Sequence, residues 1–258
     1  MFDWIVETLR ETVEWKEWGW NMSTFGAMGA LATSSLQGMG LWKQGRRIWR
    51  DRAAPTISLA LFWYSMWYFF AFLVYGIQGK SATMVLASSL AFIHLPIVIG
   101  VMRYGRVSRY ERWSLYVLPF MVPLMVVAGL QGFREELFFG YLLGIIGFLV
   151  PQVYRAWKSP SPKDLDPFFI VAFLLTSVFW FIYAFVADSW ALKIFNPLAF
   201  IFWCIMLALW WTKVKMKEEK KEDDPGVVLI RIMYVFAAVL VIMTCGVLFG
   251  IAYLAGVV

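Results

Sequence analysis

Three consecutive stretches in the second half of the chain decide the fold: PQVYRAWK at 151–158, DPFFIVAFLLTSVFWFIYAF at 166–185 and IFNPLAFIFWCIML at 194–207. The first ends an apolar segment with a Pro-Gln pair and continues into a short polar loop. The other two are long and apolar, and about 20 such residues are enough for a helix to cross about 30 Å of hydrocarbon. The sequence therefore predicts membrane helices joined by short loops.

The composition of the whole chain favours an integral membrane protein. Of its 258 residues, 61% are hydrophobic and 19% are aromatic, whereas soluble domains are about half apolar. The net charge of +6 comes from Lys and Arg in loops between apolar runs, so the sequence predicts no nucleic-acid partner. Cys204 and Cys245 stand alone inside apolar segments, which indicates neither a disulfide nor a metal site.

Eight segments are predicted to span the membrane. Basic residues are concentrated in the loops after the first, third, fifth and seventh segments, whereas the opposite loops contain only Lys80, Arg134 and Lys193. By the positive-inside rule, both termini are expected on the non-cytoplasmic side, and the membrane is expected to be the cell membrane. The predicted spans are 22–42, 56–77, 83–102, 113–130, 137–154, 167–187, 191–211 and 227–257.

Two further segments lie outside the core of the prediction. Residues 1–20 have apolar positions near helical spacing, glutamates between them and four tryptophans, which is typical of an amphipathic helix lying on the bilayer surface. Residues 212–226 contain the charged tract KVKMKEEKKEDD, which predicts a solvated cytoplasmic linker before the extra span 227–257.

The chain also contains a degenerate internal repeat. Gln44 precedes Gln152 by 108 positions, and Trp67 resembles Trp180 at an offset of 113. Because both copies have their basic loop after the first helix, they must insert in the same orientation, and one additional helix between them makes this feasible. The sequence therefore predicts an all-α membrane protein with a parallel 3+1+3 layout, divided into a first repeat at 21–102, a linker helix at 113–130 and a second repeat at 137–211.

A Pro-Gln pair at the inner end of a membrane helix, within two parallel three-helix units, resembles the PQ-loop superfamily. Within it, the chain looks most like the SWEET sugar transporters, over about residues 25 to 212. The most specific similarity is the spacing of sixteen between Trp180 and Asn196, with Thr176 one turn before the tryptophan. The resemblance implies a central sugar pocket held by a Trp and an Asn of adjacent helices.

The first copy differs from the second at the matching positions. Lys43-Gln44 replaces the Pro-Gln pair, Ser88 replaces the pocket asparagine, and Trp63 replaces Thr176. Ser88, Trp63 and Trp67 are predicted to complete the substrate site from the first repeat. The predicted hinge and gate residues are Pro151, Gln152 and Gln44, and for Pro151 a static kink stays an alternative to a hinge.

Helix geometry alone places the second-repeat residues near mid-membrane. Trp180 lies about nine residues before the predicted turn and Asn196 about seven after it, which corresponds to a depth of roughly 10–14 Å. An aromatic face stacks on a sugar ring, and an amide both donates and accepts hydrogen bonds. Structural roles stay open as alternatives: Asn196 can bond a carbonyl left free by Pro197, Ser88 can allow close helix packing, and the tryptophans can fill the core.

The residues that the chain lacks also restrict its function. It has no phosphate-binding loop, no paired carboxylates and no nucleophile with a base, so neither an enzyme nor a cofactor is predicted. Only His94 is titratable deep in the predicted spans, which favours facilitated diffusion (uniport) of a small neutral sugar over proton symport. The alternatives are another neutral or zwitterionic solute, and a non-transporting membrane subunit or cargo receptor with protein partners or further copies of itself.

Overall fold

The computed structural model describes residues 8–16, 18–54, 58–105, 107, 109–158 and 167–219. Within these ranges the protein is helical and has no strand. The predicted span 227–257, residues 220–226 of the predicted linker, Cys245 and residues 1–7 lie outside the described residues. The helix at 151–158 is described, but its side chains, including those of Pro151 and Gln152, are not.

Nine helices follow a single helical turn at Val13–Lys16 in the described residues. A 3₁₀ turn, Leu118–Phe120, connects the fifth helix to the sixth. The helices are α1 Met22–Asp51, α2 Leu59–Gln78, α3 Ala82–Ala87, α4 Leu90–Tyr104, α5 Arg109–Val117, α6 Met121–Gln131, α7 Arg134–Lys158, α8 Pro167–Val186 and α9 Trp190–Glu219.

Five described segments are long and apolar enough to cross a membrane: Leu59–Gln78, Ala82–Tyr104, Glu111–Gln131, Pro167–Val186 and Trp190–Thr212. They match five of the predicted spans, which supports a multi-pass membrane protein. Of the other three, 22–42 and 137–154 form the helices α1 and α7, and the last lies outside the described residues.

Two of these segments are interrupted where the sequence predicts continuous helices. The backbone N–H of Ser89 bonds to the carbonyl of Leu86, and that of Ala91 bonds to Ser88, so a tight i to i−3 turn separates α3 from α4. The segment with the 3₁₀ turn contains Pro119, which has no N–H to donate and so interrupts the helical bonding there. Both breaks lie inside predicted spans, at 83–102 and 113–130.

Six helical segments form a closed ring. The helix α4 packs against both α1 and α2, and α9 packs against both α7 and α8; the ring is completed by the pairs α1 with α8 and α2 with α7. Glycines allow the closest of these approaches, because a Cβ at Gly29 would lie 1.9 Å from the Phe179 ring and one at Gly26 would lie 3.0 Å from Ile182. The helix α6 packs outside the ring on α2 and α7.

The helix bounds correct the predicted offset between the middle helices of the internal repeat. Leu59 and Pro167, which begin α2 and α8, are 108 positions apart, and so are Gln78 and Val186, which end them. The offset of 113 that pairs Trp67 with Trp180 is therefore wrong: the residue equivalent to Trp180 is Phe72. Trp67 and Trp180 matched because aromatic residues are so frequent in both helices that a chance alignment is easily found.

The amino-terminal segment also differs from a single surface helix. Its helix is interrupted at Glu11 and Thr12 before the turn Val13–Lys16 begins. The backbone N–H of Val13 donates to the carbonyl of Lys80 at 3.0 Å, and the Lys80 ammonium pairs with Glu11 at 2.7 Å. These contacts attach the segment to the short loop between α2 and α3.

Candidate functional site

Trp180 connects three helices of the ring. It is buried on α8, and its indole Nε1 donates a hydrogen bond of 3.2 Å to the Ser34 hydroxyl on α1. Its ring lies edge-on to Phe72 of α2, with centroids 5.3 Å apart, and to Tyr183, at 5.4 Å. Ser34 is therefore a partner of the predicted site that the sequence did not reveal.

Three other predicted site residues are also buried and bond to their own helices or the adjacent turn. The Asn196 side-chain N–H donates to the Leu192 carbonyl at 2.8 Å, and the Thr176 hydroxyl donates to Ala172 at 2.7 Å. The Ser88 hydroxyl donates to the Val85 carbonyl. An asparagine amide has two donors and an acceptor oxygen, so a single bond does not exhaust its capacity.

The two first-repeat tryptophans lie on α2 in a T-shaped pair with ring centroids 5.5 Å apart. The indole N–H of Trp63 donates to the Ser114 carbonyl of α5 at 3.1 Å, and its ring packs in the cluster around α4. Trp67 packs instead against the central cluster that contains Trp180. The structure thus brings Trp67 and Trp180 into one core, whereas Trp63 belongs to another.

Trp67 also has the most informative polar atom in this core. Among the described residues, only its Nε1 and Gln78 Oε1 are buried side-chain polar atoms without a hydrogen-bond partner. A buried unpaired donor costs about 1–3 kcal/mol, so such atoms need an explanation. An oxygen of a bound solute or of a water molecule would satisfy the indole N–H.

Phe92 and His94, which could plug the interior of a non-transporting protein, lie in different surroundings. Phe92 is 66% exposed and lies edge-on to Phe70. His94 is buried between Phe62 and Phe69, and its Nδ1 lies 2.8 Å from the Leu90 carbonyl. Gln44, a predicted gate residue, is half-buried on α1.

A stack of aromatic rings fills the other end of the ring of helices. Phe138 of α7 stacks on Tyr75, with centroids 4.1 Å apart, and on Phe72, at 5.5 Å. Tyr68 lies 5.9 Å from the same Phe138 ring in a similar orientation. This stack lies near the loops that carry few basic residues, which the positive-inside rule places on the non-cytoplasmic side.

Two carboxylates lie above this stack, and the first is Glu14. It accepts hydrogen bonds from the Ser81 hydroxyl at 3.0 Å and from the backbone N–H groups of Ala82 and Thr83 at 3.1 and 2.9 Å. The hydroxyl of Tyr183 donates to the same carboxylate and lies 2.7 Å from the Ser81 oxygen. We call this group the Glu14 cluster; its carboxylate satisfies the positive N-terminal end of α3.

The second carboxylate is Glu135, in the first turn of α7. It accepts hydrogen bonds from Tyr75 on α2 and from the Ser189 hydroxyl at 2.9 Å, with a longer contact of 3.4 Å from the backbone N–H of Ala191. The hydroxyl oxygens of Tyr75 and Ser189 are 2.6 Å apart. The guanidinium of Arg134 lies over the Tyr75 ring, 5.6 Å from its centroid. We call this group the Glu135 cluster.

In both clusters the tyrosine comes from one half of the chain and the serine from the other half. Tyr183 of α8 reaches the residues that begin α3, and Tyr75 of α2 reaches those that begin α9. Tyr75 and Tyr183 are 108 positions apart, and so are Ser81 and Ser189. This equal spacing was a sequence signal for the tyrosine–serine pair of each cluster, although not for its glutamate.

The electrostatics of Glu14 favour its charged form. Burial alone would disfavour the carboxylate, but the hydrogen bonds from Tyr183 and from the Thr83 N–H outweigh that effect, so the pKa of Glu14 lies below its usual value. The Glu14 cluster therefore contains an anion at neutral pH, held between the two halves of the ring.

A cavity of about 600 Å³ lies between α1 and the interrupted α3 and α4. None of the six predicted substrate-binding residues lines it. Its walls include the exposed Met39, Trp42 and Leu86, so it opens away from the ring. It meets the predicted central site at Ser34, which lines the cavity and accepts the hydrogen bond from Trp180.

Comparisons with known proteins provide no relative for this chain. No family model matches it, and neither a curated protein nor a solved structure matches it. The resemblance to the PQ-loop superfamily therefore depends on the residues quoted above, and the geometry of the clusters has to be interpreted on its own.

Proposed function

We propose that the protein is a PQ-loop membrane transporter of the SWEET type, with eight spans in a parallel 3+1+3 layout and both termini on the non-cytoplasmic side of the cell membrane. The order of helix packing supports this proposal. In each half, the third span lies between the first two, and the halves meet at the equivalent pairs α1 with α8 and α2 with α7. Two like-oriented triplets related by an axis along the membrane normal would pack in this way.

The observation that carries the proposal is the exchange of tyrosines between the Glu14 and Glu135 clusters. Each cluster joins a tyrosine hydroxyl of one triplet to a helix start of the other, and the carboxylate comes from the amino-terminal segment in one cluster and from α7 in the other. The triplets are therefore fastened together at the predicted outer end, where the aromatic stack also closes the ring. Alternating access then consists of rocking the triplets, with both clusters broken when the outer end opens.

The chemistry of the central core favours a neutral solute. Trp67 and Trp180 supply aromatic surface and the unpaired Nε1 of Trp67, and in this proposal the Asn196 amide on α9 is added to them; these groups suit the hydroxyl groups and apolar faces of a sugar. A charged solute would need a compensating charge at this depth. The proposal is therefore facilitated diffusion of a mono- or disaccharide, without proton coupling.

Uptake of labelled glucose and sucrose into proteoliposomes tests the proposal. Trp67→Phe keeps the ring and removes only the N–H, and Asn196→Ala removes the amide; each is expected to lower uptake about tenfold, the equivalent of one hydrogen bond of about 1.4 kcal/mol. Trp113→Phe is the matched control, because Trp113 is 63% exposed. Uptake equal to that of empty liposomes for every sugar would contradict the proposal.

Two additional measurements separate the alternatives. An imposed pH gradient should not concentrate the solute, and accumulation above equilibrium would replace uniport by proton symport. Uptake of an amino acid in the absence of sugar uptake would identify another neutral or zwitterionic solute. The second candidate function is a non-transporting membrane subunit, and the stacked rings of Phe72, Tyr75 and Phe138 in the outer half favour it. Uptake of no solute at all would support this candidate.

A further inference from the structure

The cavity between α1 and the interrupted α3 and α4 is elongated along α1. Its lining on that helix extends from Leu31 to Lys43, twelve residue steps or about 18 Å. On the opposite wall it extends from Leu86 to Ile93 across the break between α3 and α4. At Gly38 an added Cβ would lie 3.1 Å from both Leu90 and Ile93, so glycine sets the depth of the groove floor.

The walls of this groove suit a hydrocarbon chain. Apolar side chains form most of its lining, among them Leu31, Met39 and Leu86. The two serines on α1 already have partners, because Ser34 accepts the bond from Trp180 and the Ser35 hydroxyl donates to the Leu31 carbonyl at 2.9 Å. The third serine of the lining, Ser89, is exposed on the opposite wall, so the groove offers few polar groups along its length.

Charge is confined to one end of the groove. Lys43 lines that end with Trp42, and its ammonium lies 4.4 Å from the centroid of the Phe168 ring. The following turns of α1 expose Arg46, Arg47 and Arg50. By the positive-inside rule this end faces the cytoplasm, where anionic lipids attract basic side chains.

We propose that the groove binds one acyl chain of an anionic phospholipid of the cytoplasmic leaflet, with its phosphate at Lys43. The length of the groove matches an extended chain of ordinary phospholipid length, and the basic end matches a negative headgroup. A groove that binds a second protein copy would be expected to be apolar along its whole length. Here the surface is apolar for most of the length and basic at one end, as the acyl chain and the anionic headgroup of a lipid require. This site adjoins the predicted solute site at Ser34, but it takes a different ligand and does not depend on the identity of the solute.

The test is lipid binding by the purified full-length protein in detergent, measured by native mass spectrometry. Phosphatidylglycerol and phosphatidylcholine with identical acyl chains are the probes. The wild-type protein is expected to bind phosphatidylglycerol about fivefold more strongly, as one basic side chain near the headgroup supplies. Lys43→Gln should abolish this preference and leave phosphatidylcholine binding unchanged.

Ser35→Phe tests the acyl chain, because Ser35 is exposed in the groove and a phenyl ring would fill it. It should reduce binding of both lipids, while Arg112→Gln, an exposed basic residue on the same predicted side, should leave both unchanged. Met39→Trp is a second groove-filling variant if Ser35→Phe does not keep the helical content of the wild type. Equal binding of the two lipids by the wild type, or unchanged binding in the folded groove-filling variant, would overturn the proposal.

Discussion

The Glu14 and Glu135 clusters perform the same task with different parts of the chain. Both place a carboxylate beside a serine and a tyrosine at the start of a third span. Their tyrosines and serines are 108 positions apart, but the two glutamates are 121 apart. Both helix starts therefore have a carboxylate beside them, but the two glutamates do not occupy equivalent positions in the sequence repeat.

The difference has physical consequences. Glu135 is part of α7, a helix of 25 residues, whereas Glu14 lies in a turn of four residues. Yet Glu14 accepts two backbone N–H bonds at 2.9 and 3.1 Å, and Glu135 has only the 3.4 Å contact from Ala191. Glu14 thus lies in the shorter helical element but accepts more hydrogen bonds, and these bonds hold the short turn in place.

The largest expected effect comes from Glu14→Gln. The change removes a charge that satisfies two backbone N–H groups and two hydroxyls, and bonds to a charged group are worth about 1.5–3 kcal/mol each. The free energy of unfolding should fall by about 2–3 kcal/mol, measured by thermal unfolding in detergent. The control is Glu11→Gln, which removes only the exposed pair with Lys80 and should change the midpoint little.

Glu135→Gln should have a smaller effect, a loss of about 1–2 kcal/mol. Each carboxylate accepts bonds from one tyrosine and one serine hydroxyl, which for Glu135 are Tyr75 and Ser189. The smaller loss therefore comes from the longer backbone contact of Glu135. The same unfolding measurement checks it. If Glu135→Gln destabilises the protein as much as Glu14→Gln, the difference in backbone bonding is not what distinguishes the clusters.

Tyr75→Phe and Tyr183→Phe should each cost about 1 kcal/mol, because each removes one hydroxyl from an equivalent position. The two variants sharpen the comparison, since here the clusters are predicted to behave alike. Combining Tyr183→Phe with Glu14→Gln should give less than the sum of the single effects, as expected for residues in direct contact. Additive effects would mean that the tyrosine does not act through the carboxylate.

The smallest effect is a change of slope with pH. Because the pKa of Glu14 is lower in the folded protein, its contribution is fully present above the unfolded value of about 4.3 and is lost as the pH falls below it. Thermal midpoints measured from pH 7 to pH 3 should decline less steeply for Glu14→Gln than for the wild type. Parallel curves would show that this carboxyl has the same pKa in the unfolded chain.

Much of the fold followed from apolar runs, because a membrane requires long helices and the loops between them are charged. The break at Ser88 and Ser89 did not follow, since no Pro or Gly marks it and packing alone decides it. The duplicated 3+1+3 layout stays a prediction, whereas its offset of 113 between α2 and α8 is wrong, because many aromatic residues in those helices allow a chance alignment. The predicted substrate residues stay predictions, with Trp67 and Trp180 in one core and Trp63 in another.

The Ser34 contact and the two clusters were missed for one reason. Each joins residues that are far apart in the chain: Ser34 and Trp180 by 146 positions, and Glu14 and Tyr183 by 169. The glutamates of the amino-terminal segment have the pattern of a solvated polar face, and no local pattern distinguishes Glu14 from Glu11. Only the position of α3 determines which of them becomes half-buried.

The turn that carries Glu14 changes where the minimal folding unit begins. A fragment starting at residue 21, the predicted boundary of the first repeat, would keep all three membrane-crossing segments of that repeat. It would nevertheless lack the Glu14 carboxylate, which binds the N–H groups at the start of the third. Shortened versions of the protein, and fusions joined directly to Met22, should therefore be prone to misassembly even though every membrane-crossing segment is retained.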